Sequence, residues 1–174
     1  GVVLLQQATA VAARLRAALH ERGTGRGIAV VSPEVVAGYG LASSVARASG
    51  VATDLRRADP GYHGVTQWLD TDGGTHGDAW SRFDQWLAEV PASAAIIKAV
   101  LADLPPGPLR AHLPKAIRLP EGDFTAAVEA PLGRAGVVVT SRGATMPWRL
   151  RLRTASAANV AAWPAVLTGA TLEG

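Results

Sequence analysis

The chain has 174 residues, about one domain's worth, and 48% of them are apolar. It contains no cysteine, which excludes disulfides, thiolate catalysis and cysteine-ligated zinc or iron–sulfur clusters within these residues. The formal charge is only +3, with basic residues spread along the chain and no basic stripe with interleaved aromatics, so composition argues against nucleic acid as a partner.

The first predicted element is a helix over residues 2–22, with Leu4, Ala8, Val11, Leu15 and Leu19 on one apolar stripe and Gly23 as its stop. Ile28 to Val31 reads as a short strand. Ser32-Pro33-Glu34 is a helix start: a hydroxyl cap, a proline in the first turn and an acid near the positive end of the dipole. Gly38 and Gly40 keep that helix brief, and Leu41 to Ser49 form a second short one ending at Gly50.

Residues 51–77 carry five glycines and read as a long irregular segment, of the kind that is functional or pinned by a partner. Asp78 then caps a long helix whose apolar stripe runs through Trp80, Phe83, Trp86, Leu87, Val90, Ala94, Ile97, Val100, Leu101 and Leu104, with Pro91 as a kink point. Three antiparallel strands follow: Phe124 to Glu129, Val137 to Thr140, and Trp148 to Arg153. Alternation gives that meander one packed face and one polar face. Asn159 is expected to cap a last helix carrying Val160, Trp163 and Leu167. The fold class is α+β, mainly helical with a small antiparallel sheet in the last third. A chain of this size is expected to bury about 70% of its unfolded surface. No run of 18 apolar residues is free of charge, so no segment reads as a membrane span.

Several strings invite chemistry. Gly23-x-Gly25-x-Gly27 follows a helix and precedes a strand, the wrong order for a nucleotide loop, and reads as a helix stop with a loop. The oxygen-rich run from Asp70 to Asp78 lacks the acid at its twelfth position that a calcium loop needs, since that position is Ser81. The four histidines have no ligand spacing, although His63 and His76 share one loop, and there is no Gly-x-Ser-x-Gly elbow. Arg149, Arg151 and Arg153 put three positive charges on one strand face, suited to an acidic partner or a polar head group, or simply to solvent. In Glu129-Ala130-Pro131-Leu132-Gly133 a carboxylate closes a strand before a forced turn, which suits either a site edge or an ordinary hairpin.

The order of these strings goes further than any one of them. Arg26-Gly27-Ile28-Ala29-Val30, Ser32-Pro33-Glu34, Ala46-Arg47-Ala48-Ser49-Gly50-Val51, Asp54-Leu55-Arg56-Arg57, Gly77-Asp78, Leu104-Pro105-Pro106-Gly107-Pro108, Leu113-Pro114-Lys115, Pro120-Glu121-Gly122, the Glu129–Gly133 string and Pro147-Trp148-Arg149-Leu150-Arg151-Leu152-Arg153 occur in sequence, followed by Ser156 and Asn159. Together they resemble the D subunit of the proton-translocating NADH-quinone oxidoreductases, the hydrogenase-large-subunit-like part of complex I, in its actinobacterial form. The resemblance implies that residues 1–174 are the C-terminal portion of such a protein, with an N-terminal half and an extreme C-terminus outside them.

The resemblance also implies a peripheral respiratory subunit on the cytoplasmic side of the bacterial membrane. Its expected partners are a B-like iron–sulfur protein of the same complex, a C-like one and the membrane arm, with no nucleic acid. Its substrate is a quinone, reduced in a shared cavity beside the partner's terminal cluster. The chain itself is expected to hold no metal or iron–sulfur cluster. Family members often carry an NAD label, for which no nucleotide motif appears here.

The family's quinone-contacting histidine and tyrosine lie outside these residues. No catalytic residue is therefore carried over, and the piece alone is expected to be inactive. What carries over is cavity support: Asp54, Arg56, Asp78, Glu129, Pro131, Gly133, Arg153, Ser156 and Asn159. The alternatives are the large subunit of a membrane-bound nickel–iron hydrogenase, whose Pro-Arg-Gly turn is contradicted by Leu132, and a non-catalytic interaction or assembly module.

Overall fold

The computed structural model describes residues 2–108 and 110–170. Among these residues five α-helices and three strands appear in chain order: α1 (Val2–Arg22), α2 (Pro33–Tyr39), α3 (Ser43–Ala48), α4 (Ala79–Ala102), β1 (Gly122–Ala130), β2 (Gly133–Ser141), β3 (Arg149–Arg153) and α5 (Ala157–Leu167), with three short 3-10 turns between α3 and α4. The α+β expectation holds. Ile28–Val31 forms no strand, however: Ala29 has φ 50° and the Val31 N–H donates to the Gly77 carbonyl at 2.8 Å, which ties this stretch to a loop rather than a ladder.

The helix starts follow the sequence closely. Ser32 Oγ accepts from the Val35 N–H at 3.3 Å ahead of Pro33, and Asp78 accepts from the Ser81 N–H at 2.7 Å to open α4. The Gly23–Gly27 loop supplies the rest of the α4 start. The Trp80 N–H donates to the Gly25 carbonyl, the Ala79 N–H to that of Ile28, and the other Asp78 oxygen accepts from the Gly27 N–H. These N–H groups are therefore consumed by the chain itself, which accounts for the three glycines without a phosphate. Helix α4 continues through Pro91 to Ala102.

The packed faces of the two long helices differ from the apolar stripes. On α1, Leu4, Ala8, Val11 and Leu15 face outward, while Leu5, Thr9, Ala12, Arg16 and Leu19 turn inward. On α4 the buried positions are Ser81, Asp84, Gln85, Ala88 and Ala94, whereas Phe83, Ile97, Val100 and Leu101 are exposed. The helices pack together through Arg16, whose guanidinium binds the Asp84 carboxylate at 2.6 and 3.0 Å. Both helices are long and apolar enough to cross a membrane by length and composition, a property that the expectation of no span, based on charge-free runs, did not capture. The ion pair ties their charged positions to each other inside the fold.

The sheet has the order β1-β2-β3, all antiparallel, with Phe124 opposite Val139 and Val139 opposite Leu150. The expected alternation is present, but the apolar face is not packed. Phe124, Val128, Leu150 and Leu152 are all exposed. The core that does form is small, built from Val31, Val36, Leu41, Val45, Ala46 and Ala162 between α2, α3 and α5.

The surface reflects this. A compact 17.9 kDa chain exposes about 8,000 Å² by size scaling, and this one exposes 11,809 Å². It buries roughly half of its unfolded surface rather than the expected share. Among the described residues 25 large apolar side chains are exposed, enough that much of this surface is built to be covered.

Candidate functional site: a clamped hairpin on a buried charge cluster

β1 and β2 are joined by the two-residue turn Pro131-Leu132, with Ala130 paired to Gly133. Gly133 has φ 142°, and a Cβ there would lie 2.5 Å from the Ala155 carbonyl oxygen. Only glycine meets both demands. Three successive turn carbonyls are captured by side chains from three different helices. Ala130 accepts from Ser43 Oγ at 2.7 Å, Pro131 from Ser44 Oγ at 3.0 Å and Trp86 Nε1 at 3.2 Å, and Leu132 from Asn159 Nδ2 at 2.6 Å. Ser43 and Ser44 are almost wholly buried, and Ser43 takes φ 64°, a strained backbone for a non-glycine residue.

Beneath the turn lies a charge cluster. The Glu129 side chain is only 3% exposed. One of its oxygens accepts from Arg47 Nη1 at 2.7 Å and the other from the Leu55 N–H at 2.6 Å. Arg47 also binds Glu89 of α4 through Nη2 at 2.6 Å and Nε at 3.2 Å, and the Thr53 carbonyl at 3.2 Å. Asp54 lies 3.6 Å from Arg47, accepts from the Arg56 backbone at 3.0 Å and forms a two-point pair with the Arg56 guanidinium at 2.9 and 2.7 Å. Arg56 in turn approaches Glu129 to 3.8 Å. Two guanidiniums thus face three carboxylates, drawn from α3, α4, β1 and the first turn of the 51–77 segment.

The electrostatics follow from that geometry. Burial alone would raise the Asp54 carboxyl, but the hydrogen bonds and charge of Arg56, with Arg47 behind it, hold it below the ordinary carboxylate range. Burial likewise opposes the Arg47 charge, yet Glu89 and Glu129 outweigh it and raise its affinity for the proton. The cluster is therefore a locked set of ion pairs. The arrangement is a rigid platform with no obvious nucleophile, and its chemical capacity is to hold the turn in place. Leu132, 41% exposed, is presented at the tip.

Of the residues singled out from sequence, Asp54, Arg56, Glu129, Pro131 and Gly133 come together here. Asn159 also arrives, although not as a cap. Ser156 occupies the cap position of α5 without a side-chain bond, and Asn159, inside the first turn, spends its amide on the hairpin. Asp78 sits instead at the α4 start, and Arg153 lies on the exposed sheet face opposite Gly136.

Sequence reasoning missed Ser43, Ser44, Arg47, Glu89 and Trp86. The available signal was an arginine set among small residues in Ser43-Ser44-Val45-Ala46-Arg47-Ala48, which permits close approach of neighbouring elements. No cluster of three or more metal-binding side chains of histidine, aspartate or glutamate type occurs among the described residues. Asp70 and Asp72 are paired with Arg57 and Arg16 instead.

Side chains from three helices thus grip one β-hairpin turn, beside an open sheet and above buried ion pairs. The model of the respiratory-chain NADH dehydrogenase 49 kDa subunit family matches residues 17–118 and 112–173, so the chain belongs to that family. Among curated relatives it is 40% identical over 153 residues to the first of the numbered D subunits of NADH-quinone oxidoreductase from Streptomyces coelicolor, covering 85% of this chain and 40% of that protein. It is 44% identical over 147 residues to the second numbered D subunit of the same enzyme from Salinispora tropica, covering 82% and 37% respectively.

The chain thus spans about two fifths of the length of the curated relatives it matches. Among solved structures it resembles a chain of an archaeal respiratory membrane complex, the membrane-bound sulfane sulfur reductase. There the TM-score is 0.75 at 28% identity, covering 97% of this chain and 50% of that one.

Proposed function

We propose that the chain corresponds to the C-terminal part of a D-type subunit and helps wall the quinone-reduction cavity of a proton-translocating NADH:quinone oxidoreductase. The cavity lies next to the terminal iron–sulfur cluster of a B-like partner, with a C-like protein and the membrane arm as neighbours. The protein is peripheral, on the cytoplasmic side of the bacterial membrane. Quinone reduction consumes two electrons, delivered by the partner's cluster, and two protons, and this chain's residues supply position rather than either. Asp54, Arg56 and Glu129 fix the platform, while Pro131, Gly133 and Asn159 fix the turn. Ser156 starts the helix that carries Asn159. Asp78 anchors α4, and Arg153 continues the strand leading back to that helix.

The observation that carries this reading is the capture of three consecutive turn carbonyls above a buried Glu129–Arg47 pair. Such investment in one turn suits a wall whose shape must not drift, since small misplacements at a reacting centre are costly. The test is Glu129→Gln in the full-length parent within its assembled complex. Quinone reductase turnover should fall by about tenfold, equivalent to roughly 1.4 kcal/mol in the barrier. Electron transfer from NADH to a water-soluble acceptor that bypasses quinone should be unchanged. Equal loss of both activities in a fully assembled complex would defeat the proposal.

A further inference from the structure

Helix α4 supplies none of the residues of the apolar core between α2, α3 and α5. Polar contacts along one face hold it instead. Asp84 takes the Arg16 guanidinium of α1 and the Gly74 N–H, the latter at 2.9 Å. The Gln85 amide donates to the Thr71 hydroxyl, and Ser81 Oγ accepts from the His76 N–H at 3.2 Å. The second half of the 51–77 segment is thereby strapped along the first half of α4.

From that anchored stretch two side chains, three residues apart, reach the hairpin. Trp86 Nε1 donates to the Pro131 carbonyl at 3.2 Å. Glu89, its side chain 14% exposed, acts through two intermediaries. Its Oε2 lies 3.4 Å from Ser44 Oγ, the hydroxyl that also donates to the Pro131 carbonyl. Its Oε1 accepts from both Nε and Nη2 of Arg47, at 3.2 and 2.6 Å. A guanidinium is a rigid planar fork, so an oxygen engaging its Nε–Nη2 edge also fixes where Nη1 points. Here Nη1 points at Glu129, 2.7 Å away, and at the Thr53 carbonyl.

We infer that Glu89 is a positioning residue for the cavity wall: it aims Arg47 at Glu129 and, with Trp86, sets the Pro131-Leu132 turn at a fixed distance from α4. Among the described residues no other side chain of α4 bonds to the turn or to Arg47. Without Glu89 the guanidinium is free to swing toward Asp54, 3.6 Å from Nη1, and Glu129 loses its short bond. The role needs an oxygen at this place more than a charge, because Asp54 and Glu129 already balance the two guanidiniums. A glutamine keeps a carbonyl oxygen for the Nε–Nη2 edge. Its amide N–H can donate to Ser44 Oγ while that hydroxyl donates to Pro131.

This assignment rests on the proposed place of the turn in the quinone-cavity wall, and its test uses the full-length parent in the assembled complex. With a short-chain quinone that the parent complex turns over, Glu89→Ala should lower kcat/KM by about tenfold, the effect of a slightly misplaced wall. Glu89→Gln should bring it back to within about twofold of the parent. NADH oxidation with a water-soluble acceptor should be unchanged in both. A parent-like kcat/KM in Glu89→Ala overturns the assignment. So does a glutamine variant as impaired as the alanine one, which would make charge rather than the aim of Arg47 the essential feature, and so does equal loss of both activities. If Glu89→Ala prevents assembly, Trp86→Phe decides, since it removes one N–H and keeps a ring. Its kcat/KM for the quinone should fall by about threefold, the scale of one hydrogen bond, with acceptor activity intact; no fall overturns the assignment. Normal quinone reduction in Glu129→Gln defeats the proposed function itself. An impaired Glu129→Gln beside parent-like Glu89 and Trp86 variants defeats only the assignment to α4.

Discussion

Arg47 is where the site is won or lost. It holds Glu89 and Glu129 and lies near Asp54, so Arg47→Met would leave three buried carboxylates with one guanidinium. Breaking a buried pair from one side costs about 3–5 kcal/mol, far more than the pair itself contributes. A clear drop in the urea midpoint is expected, and a midpoint within error of the parent would show that the cluster is solvated instead. Gly133→Ala is expected to destabilise too, because a Cβ 2.5 Å from the Ala155 oxygen forces the turn and the α5 approach apart. Asn159→Ala is milder. It removes one half-open bond to Leu132, worth about 1 kcal/mol. A thermal scan that ranked Asn159→Ala as worse than Gly133→Ala would contradict the clamp geometry. Glu129 and Gly133 were legible in sequence because an acid, a proline and a glycine at fixed spacing constrain a turn. Arg47 was not, since nothing local says which carboxylates a helical arginine will meet 42 and 82 residues away.

At the level of elements, α4 shows how an apolar stripe misleads. Its Phe83, Ile97, Val100 and Leu101 face solvent here, while Ser81, Asp84 and Gln85 face the chain's own interior. Periodicity reports that a helix has a face to bury, and it does not report against what. Ile97→Gln together with Leu101→Gln should therefore leave the stability of this chain unchanged to within about 0.5 kcal/mol, as exposed substitutions do. The same pair should impair assembly of the full-length parent. A destabilised chain would mean that the stripe packs internally. These two caps were read correctly because Ser32 and Asp78 act on N–H groups three residues away, a range that sequence displays directly. Asn159 was misread as a cap because its donor turned to a carbonyl 27 positions earlier.

For the whole molecule, acid sensitivity follows from two carboxylates. Asp54 is held below its ordinary value despite burial, chiefly by Arg56. Asp78 is held low, again against burial, by the Gly27 and Ser81 N–H groups. A group depressed in the folded state stabilises it fully above the unfolded value of about 4, and that support is lost as pH falls through the folded value. Stability should be flat from about pH 7 to 5 and fall steadily below about 4, with Asp54→Asn shortening the fall. A denaturation series showing no decline down to about pH 2 would refute this. The excess of exposed surface over that of a compact monomer belongs to the same scale. It goes with the incomplete core: apolar surfaces of α1, α4 and the sheet are uncovered in a chain that spans about two fifths of its relatives' length.

The sequence by itself determined the α+β class, the starts of α2 and α4, the meander with its alternating faces and, through ordered strings, the family. These depend on local geometry or on resemblance spread along the chain. Tertiary structure alone decided that Arg47 unites α3, α4 and β1, that Ser43, Ser44 and Asn159 grip one turn, and that the apolar faces of α4 and the sheet stay open. The physical reason is range. Caps, turns and periodicity are settled over a few residues, whereas a buried charge finds its partner, and an apolar face its cover, only when distant segments meet.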